Sequence, residues 1–322
     1  MFTAEQIKAS CGDIPFIFRA GAWKPRTSPH TFQGVGDEAL VWLQEVKARF
    51  GIPVATEVAT PEHVEKALKA GIDYVWIGAR TSASPIAVEA IAQALKDHPL
   101  KGVLIKNPVN ADAQLWLGNI ERLEKTGIPV MAVHRGCNHQ PCWSLAHAIR
   151  TQRPDIPLLL DPSHMSGNAA KVPELMSKIE ELSLDGAMIE VHCDPEHALS
   201  DRKQQLRPVD LRELVEKQLT NHQRITNESL TIESKESAEL HWLRAEIDEL
   251  DERLWDTLAA RMDVSARIGE WKKAHGIAPL QPERVKAISE KLKVKSEELG
   301  LEEAWMLRVW DLIHEESLKQ QK

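Results

Sequence analysis

Cysteine is scarce in this chain, and its spacing excludes more than its number. Cys11, Cys137, Cys142 and Cys193 include no CxxC pair, so metal ribbons and dithiol redox motifs are not indicated, and four reduced, mostly buried thiols are expected. Long hydrophobic runs are missing as well. The longest are of strand length, and nothing before the first strand reads as a signal peptide, so the expectation is a cytoplasmic protein with no membrane partner. An excess of positive charge is also absent: 40 Lys and Arg stand against 48 Asp and Glu, for a formal net charge of −8. With no like-charge block either, nucleic acid is excluded as a partner. Proline is missing from Val209 to Ala278, which points to long uninterrupted helix.

At 322 residues, the chain has room for one large domain and a smaller one. Strand-like apolar runs fall at 14–19, 53–58, 73–78, 102–106, 129–134, 157–161 and 186–191. Helical patterns follow them at 37–50, 61–70, 85–97, 111–126, 141–151, 168–182 and 208–219. That alternation predicts a parallel sheet with covering helices. Seven strands are one short of a closed barrel of this class, and 3–11 reads as a helix feeding the strand at 14–19. The expected fold is therefore α/β, a TIM-type (β/α)8 barrel lacking its first strand, with the lost strand placed upstream of Met1.

In such a barrel the C-terminal ends of the strands share one rim. Reading those ends collects Arg19, Lys24, Arg80, Lys106 and Arg135 as cations, facing His164 and the acids Asp161, Glu190 and Asp201. Cations so concentrated repel one another unless a polyanion neutralises them, so the implied ligand carries phosphate and carboxylate. Lys24-Pro25-Arg26-Thr27 adds a fork of donors and a hydroxyl on the loop after a strand. One imidazole and two carboxylates, His164, Glu190 and Asp201, suit a divalent metal. The bland alternative is a hydrogen-bonded core histidine with its acids paired to the arginines.

Residues 14–207 resemble the metal-dependent 3-deoxy-D-arabino-heptulosonate 7-phosphate synthases, the branch related to the 3-deoxy-octulosonate 8-phosphate synthases. The resemblance is carried by Arg19 to Pro29, Ile77-Gly-Ala-Arg80, Val133-His-Arg-Gly136, Leu160-Asp-Pro-Ser-His164 and Glu190-Val-His-Cys-Asp194 followed by Ala198-Leu-Ser-Asp201. It implies condensation of phosphoenolpyruvate with erythrose 4-phosphate. Arg19, Arg80, Lys106 and Arg135 would hold phosphoenolpyruvate, Arg26 and Thr27 the erythrose phosphate, and Lys24 would act as proton donor or orienting group at the aldehyde. A divalent metal (Mn, Fe, Co or Zn) at His164, Glu190 and Asp201 would polarise the aldehyde oxygen. The family's further ligand, a cysteine in a Gly-Pro-Cys motif, has no counterpart in this sequence.

Asn221–Ser237 is polar and reads as a linker, giving domains of 1–219 and 238–322 joined by 220–237. Beyond it, Leu240, Leu243, Ile247, Leu250 and Leu254 alternate steps of three and four, as on an amphipathic helix. A helix over 238–275 is about 55 Å long at 1.5 Å per residue, and shorter helices at 283–297 and 301–319 complete an all-α three-helix domain that dimerises. Arg261 interrupts the apolar stripe. Lys272, eleven residues on, lies within about 20° of it, and Arg244 about 100° away.

This pattern resembles the all-helical chorismate mutases across 238–322, through Leu243 to Asp251, Ala260-Arg-Met262, Ile268-Gly-Glu-Trp-Lys272 and Ile313-His-Glu-Glu-Ser317 with Gln320-Gln321. By that resemblance Arg244 of a partner chain, Arg261 and Arg284 would hold chorismate. Lys272 and Gln321 would donate to the ether oxygen as its C–O bond breaks, with Ser317 adding polar reach and no cofactor needed. Gln281 and Val285 stand where that family commonly has acids. The combined expectation is a bifunctional, homodimeric enzyme of aromatic amino-acid biosynthesis whose mutase also regulates the synthase allosterically. Two rivals remain: a dimeric chorismate mutase with an impaired or regulatory barrel, and a C-terminal coiled coil that only dimerises.

Overall fold

The computed structural model describes residues 1–12, 14–25, 28, 30–227 and 234–321. They form α1 (Phe2–Cys11), β1 (Phe18–Arg19), α2 (Glu38–Phe50), β2 (Val54–Val58), α3 (Pro61–Lys69), β3 (Tyr74–Ile77) and α4 (Pro85–Leu95). There follow β4 (Gly102–Lys106), α5 (Ala113–Glu124), β5 (Val130–His134), α6 (Trp143–Gln152), β6 (Leu158–Leu160), α7 (Pro162–Ser166), α8 (Val172–Glu181) and β7 (Gly186–Ala187). Four long helices complete the chain: α9 (Pro208–Asn227), α10 (Ser234–Ala274), α11 (Pro282–Leu299) and α12 (Glu303–Gln320). Two compact units result, Met1–Glu246 and Ile247–Lys322.

In the first unit the strands pair in parallel in the order β1 to β7, each beside its sequence neighbour, as expected of a barrel built from strand–helix repeats. Among the described residues β1 pairs only with β2 and β7 only with β6. These flanking strands are two residues each, where runs of 14–19 and 186–191 were expected. A strand with a partner on one side only has half the ladder to hold it extended, which accounts for the shortening. The architecture is thus a TIM-type barrel lacking one strand.

Helix starts follow local chemistry. Thr60 accepts a hydrogen bond from the His63 amide at 3.2 Å ahead of Pro61, and Ser84 does the same for Ala87 at 3.3 Å ahead of Pro85. Proline at the first helical position forfeits no bond, and its fixed φ suits the helix.

The strand period of two sorts side chains into layers. Val54 and Val58 of β2, Val75 and Ile77 of β3, and Val103 and Ile105 of β4 face the helices, in a core with Leu43, Ile91, Leu95, Trp116 and Ile120. The alternate positions face inward. Ala55, Trp76, Leu104, Val133 and Met188, with Ile17 and Leu159 against them, fill the barrel with an apolar floor.

The helical boundaries differ from expectation. Helix α9 runs to Asn227 instead of 219, because polar residues do not by themselves end a helix and no proline or glycine interrupts 209–227. Residues 228–233, the middle of the expected linker, lie outside the described residues, and α10 begins at Ser234. The first turns of α10 belong to the barrel unit. In the second unit α11 packs against α12. No helix among the described residues is long and apolar enough to cross a membrane.

Candidate active site

Two residues beyond each floor position, the same inward faces change from apolar to ionic. Ile17 is followed by Arg19, Ala55 by Glu57, Leu104 by Lys106, Val133 by Arg135, Leu159 by Asp161 and Met188 by Glu190. The seventh position is Gly78, beyond Trp76. A Cβ there would lie 2.1 Å from Glu57 Oε1, so glycine leaves room for that carboxyl. A cavity of about 1150 Å³ opens over the ring, lined also by Lys24, Arg80, His164 and Asp201, and it extends past Phe16, Leu43 and Ile179.

Lys106, Arg19 and Lys24 each have an acid within hydrogen-bond reach. Lys106 Nζ donates to Asp161 Oδ2 at 2.6 Å, with side-chain exposures of 6% and 0%. Arg19 Nη2 lies 3.4 Å from Glu190 Oε1 and its guanidinium 5.4 Å from the centroid of the Trp76 ring. Lys24 Nζ donates to Ser200 Oγ at 2.5 Å and to Asp201 Oδ2 at 3.0 Å. Arg135 donates through its backbone N–H to Asn107 Oδ1 at 2.7 Å, and Asn107 Nδ2 donates to the Gly136 carbonyl at 3.0 Å. The ends of β4 and β5 are thereby tied together. Thr56 likewise fixes the loop that carries Lys24: its hydroxyl accepts from the Ala22 amide at 3.2 Å and donates to the Ala20 carbonyl at 3.0 Å.

Asp161 is the hub. Its carboxylate caps α7 by accepting the His164 amide at 3.1 Å, and it also accepts His164 Nδ1 at 2.9 Å. With Nδ1 so engaged, Nε2 is the ring nitrogen left toward the cavity, 3.8 Å from Glu190 Oε1. Burial alone would raise the Asp161 pKa, but the His164 and Lys106 charges hold it well below the ordinary value. Glu190 is lowered in the same way by His164 and Arg19; Gln204 Nε2 donates to its other oxygen at 2.8 Å. Glu57 goes the opposite way: burial raises it, and the charges of Lys106, Lys24, Arg19 and His164 only partly offset this. Burial also lowers the Arg135 pKa, with the charge of Arg80 adding to the effect.

The metal expectation meets a different arrangement. His164 and Glu190 approach each other, but Asp201 is drawn to Lys24, and among the described residues no three His, Cys, Asp or Glu side chains are grouped so as to hold a metal ion. The residues as placed do not fit a three-ligand centre. Arg26 and Thr27 lie outside the described residues. Glu57 escaped the reading of strand ends because it sits inside a run, Val54-Ala-Thr-Glu-Val58; its signal was an acid in phase with inward-facing Ala55.

The helical unit brings together another polar set. Arg261 Nη1 donates to Ser317 Oγ, and Lys272 Nζ donates to Gln321 Oε1 at 3.0 Å and to the Pro279 carbonyl at 2.6 Å. Gly269 allows this approach, since a Cβ there would stand 2.5 Å from Gln321 Cα. Arg284 is exposed in the first turn of α11, and Arg244 belongs to the other unit.

A parallel barrel with a charged ring above an apolar floor belongs to the class of barrels whose sites lie at the C-terminal rim, and comparison with known proteins narrows it. Residues 1–227 match the family model of the DAHP synthetase I family, to which the chain belongs; residues 243–322 match that of chorismate mutase type II, the second family fused in this chain. Phospho-2-dehydro-3-deoxyheptonate aldolase of Thermotoga maritima is 30% identical over 213 residues, covering 62% of this chain and 60% of that protein. The crystal structure of a Thermotoga maritima protein of that name superposes with a TM-score of 0.61 at 28% identity, covering 70% of this chain and 65% of that one. The chain thus spans somewhat less than two thirds of both. The 4-amino-4-deoxychorismate mutase of Streptomyces venezuelae is 37% identical over 78 residues, 24% of this chain and 76% of that protein.

Replacing Lys106 by Met leaves Asp161 buried without its ion-pair partner, held by hydrogen bonds from His164, and is expected to cost about 3–5 kcal/mol of barrel stability. Adding Asp161→Asn should recover most of the loss. Chemical denaturation of the three proteins checks this, and a Lys106→Met cost below about 1 kcal/mol contradicts it. The pKa of Asp161 is depressed in the fold, so its stabilisation is complete above the ordinary value of 3.8 and declines as the pH falls below it. The difference between wild type and Asp161→Asn should therefore narrow in acid.

Proposed function

We propose that the barrel condenses phosphoenolpyruvate with erythrose 4-phosphate and that the helical unit rearranges chorismate to prephenate, with synthase chemistry in 1–219 and mutase chemistry in 238–322. The observation that carries the first half is the ionic ring at Arg19, Glu57, Lys106, Arg135, Asp161 and Glu190, two residues along each strand from an apolar floor. Arg19, Arg80, Lys106 and Arg135 supply the charge that a phosphate and a carboxylate need; Arg26 and Thr27 are assigned to the erythrose phosphate. The C3 carbon of the enol attacks the aldehyde carbon, a C–C bond forms, and the aldehyde oxygen takes a proton from Lys24. Water then adds to the electron-poor C2 and gives up a proton, and the adduct collapses with loss of inorganic phosphate. Glu57 is the acid best matched to accept that proton: burial raises its pKa, and among the described residues its carboxyl has no hydrogen bond or ion pair. Among the described residues His164, Glu190 and Asp201 do not converge, so the roles assigned are those of the cations and Glu57.

For the mutase the bonded pairs Arg261–Ser317 and Lys272–Gln321 support a site at the junction of α10 with the end of α12. An intramolecular rearrangement requires only that the compact conformer be held and the ether oxygen's growing charge be met. Homodimerisation is supported by a deficit. In Ile247–Lys322 no described apolar side chain is buried, while Leu250, Leu254, Val264, Ile268, Trp271, Trp305 and Leu312 are exposed. A second copy bringing the same stripe would give the helices the core they lack, and would offer Arg244 from the partner. Ligand at the helical unit is proposed to regulate the barrel, a coupling of about 1–3 kcal/mol.

The second reading, a dimeric mutase with an impaired or regulatory barrel, is favoured by the unconverged His164, Glu190 and Asp201. A paired assay separates them: chorismate consumption, then phosphoenolpyruvate loss with erythrose 4-phosphate and Mn²⁺, with and without prephenate. Both activities, the second inhibited by prephenate, are expected. Chorismate turnover alone selects the second reading, and retention of that turnover in Arg261→Ala refutes the mutase site. In the barrel, Glu57→Gln should lower kcat by about 10²–10⁴. The acid limb of the wild-type profile, where activity rises as Glu57 loses its proton, should vanish in the variant; an unchanged profile removes Glu57 as base.

A further inference from the structure

Within the barrel unit, α6 receives the first turns of α10. Trp242, 3% exposed, stands edge-on to Trp143, with ring centroids 6.4 Å apart at 65°. The same indole lies flat against His147, at 5.5 Å and 3°. Ala245 is buried beside it. Both nitrogens of the His147 ring are engaged by α10: Nδ1 is 2.8 Å from Glu246 Oε1, and Nε2 is 3.1 Å from Glu239 Oε2. Positions 239 and 246 fall within about 20° of each other on the helix, with Trp242 about 60° from the first and about 40° from the second, so one face presents acid, indole, acid.

A carboxylate only accepts hydrogen bonds, so an imidazole bridging two carboxylates satisfies both only when it carries both protons. We propose that the α6 face of Trp143 and His147 is a docking site for residues 239–246, closed by the protonated His147 ring and loosened when that ring becomes neutral. Loss of a proton turns a lone pair toward one of the glutamates, so one of the two hydrogen bonds and the ring's charge are lost, and the helix start is held by the remaining N–H, the indole stacking and the buried Ala245. Burial by itself lowers the His147 pKa, but the hydrogen bonds from Glu246 and Glu239 more than reverse this and leave it raised above 6.5. The docking energy is therefore complete below 6.5 and is lost as pH rises through the elevated value in the fold.

Other charges near α6 are committed elsewhere: Arg150 donates to Asp185 and to the Ser183 carbonyl, and Glu124 of α5 accepts from Arg153. The docked turns also carry Arg244, exposed between Trp242 and Ala245. Docking would thus govern the placement of one proposed chorismate ligand, a consequence that, unlike the docking itself, rests on the mutase reading.

Hydrogen exchange of the full chain tests the clasp. Protection of a peptide spanning 238–247, corrected for intrinsic chemistry, should fall about tenfold or more between pH 6 and pH 9. In His147→Gln it should be low at both pH values, and in Glu246→Gln the pH dependence should shrink. Peptides from β3 to β5 report whether each variant keeps the barrel folded. Equal protection across pH in wild type, or full pH dependence retained in His147→Gln with an intact barrel, overturns the proposal.

Discussion

The ion pair between Lys106 and Asp161, 2.6 Å long and almost wholly out of water, is the constraint on which the rest of the barrel site hangs. Taking both charges from water costs several kcal/mol each, and their attraction recovers this only with good geometry and further hydrogen bonds. Asp161 supplies those bonds: it begins α7 and sets the His164 ring. Its own amide donates to the His134 carbonyl at 2.7 Å, which ties β6 to β5. A hydrophobic pair of equal volume would fill the space, but would orient neither the imidazole nor the helix start. The pair is better understood as a positioning device than as a source of stability.

Why the charges gather where they do follows from the strand period. A parallel barrel must fill its interior with inward-facing residues, and here one layer is apolar and the next ionic. The helix-facing residues between them, such as Ile77, Ile105 and Leu160, remain aliphatic. Change of chemistry along one face, at a fixed step, puts seven strands' worth of side chains on one level without any long-range signal in the chain.

That step is also what made much of the site legible. Arg19, Lys106, Arg135 and Glu190 could be found because each closes an apolar run, and the order of strands and helices could be counted from alternation alone. Glu57 could not be found by strand endings, since Val58 follows it and disguises the end of the inward face. Asp161 was visible at the end of β6, but its partners were not, because a hydrogen bond to a residue 55 positions away has no sequence period. The helix ends were blurred for another reason. Polar residues at 220–227 are compatible with helix, and composition does not distinguish a solvated helix from a linker.

Charge balance separates two explanations for the cluster of cations. Read as sequence, Arg19, Lys24, Arg80, Lys106 and Arg135 call for a polyanion to relieve their repulsion. In the fold, Glu190, Asp201 and Asp161 already meet Arg19, Lys24 and Lys106, so part of that demand is met internally. Any anion that enters the cavity must therefore compete with carboxylates of the protein. The competition is uneven. Asp161 is fully buried and tied by three hydrogen bonds, whereas Lys24 and Asp201 remain about one fifth exposed. The Lys24–Asp201 pair is the one whose opening costs least, because both groups keep access to water. A ligand that draws Lys24 away would remove one of the ionic partners of Asp201. Because the most exposed pair opens first, the site can stay charge-balanced as it stands and still turn a cation toward an incoming anion.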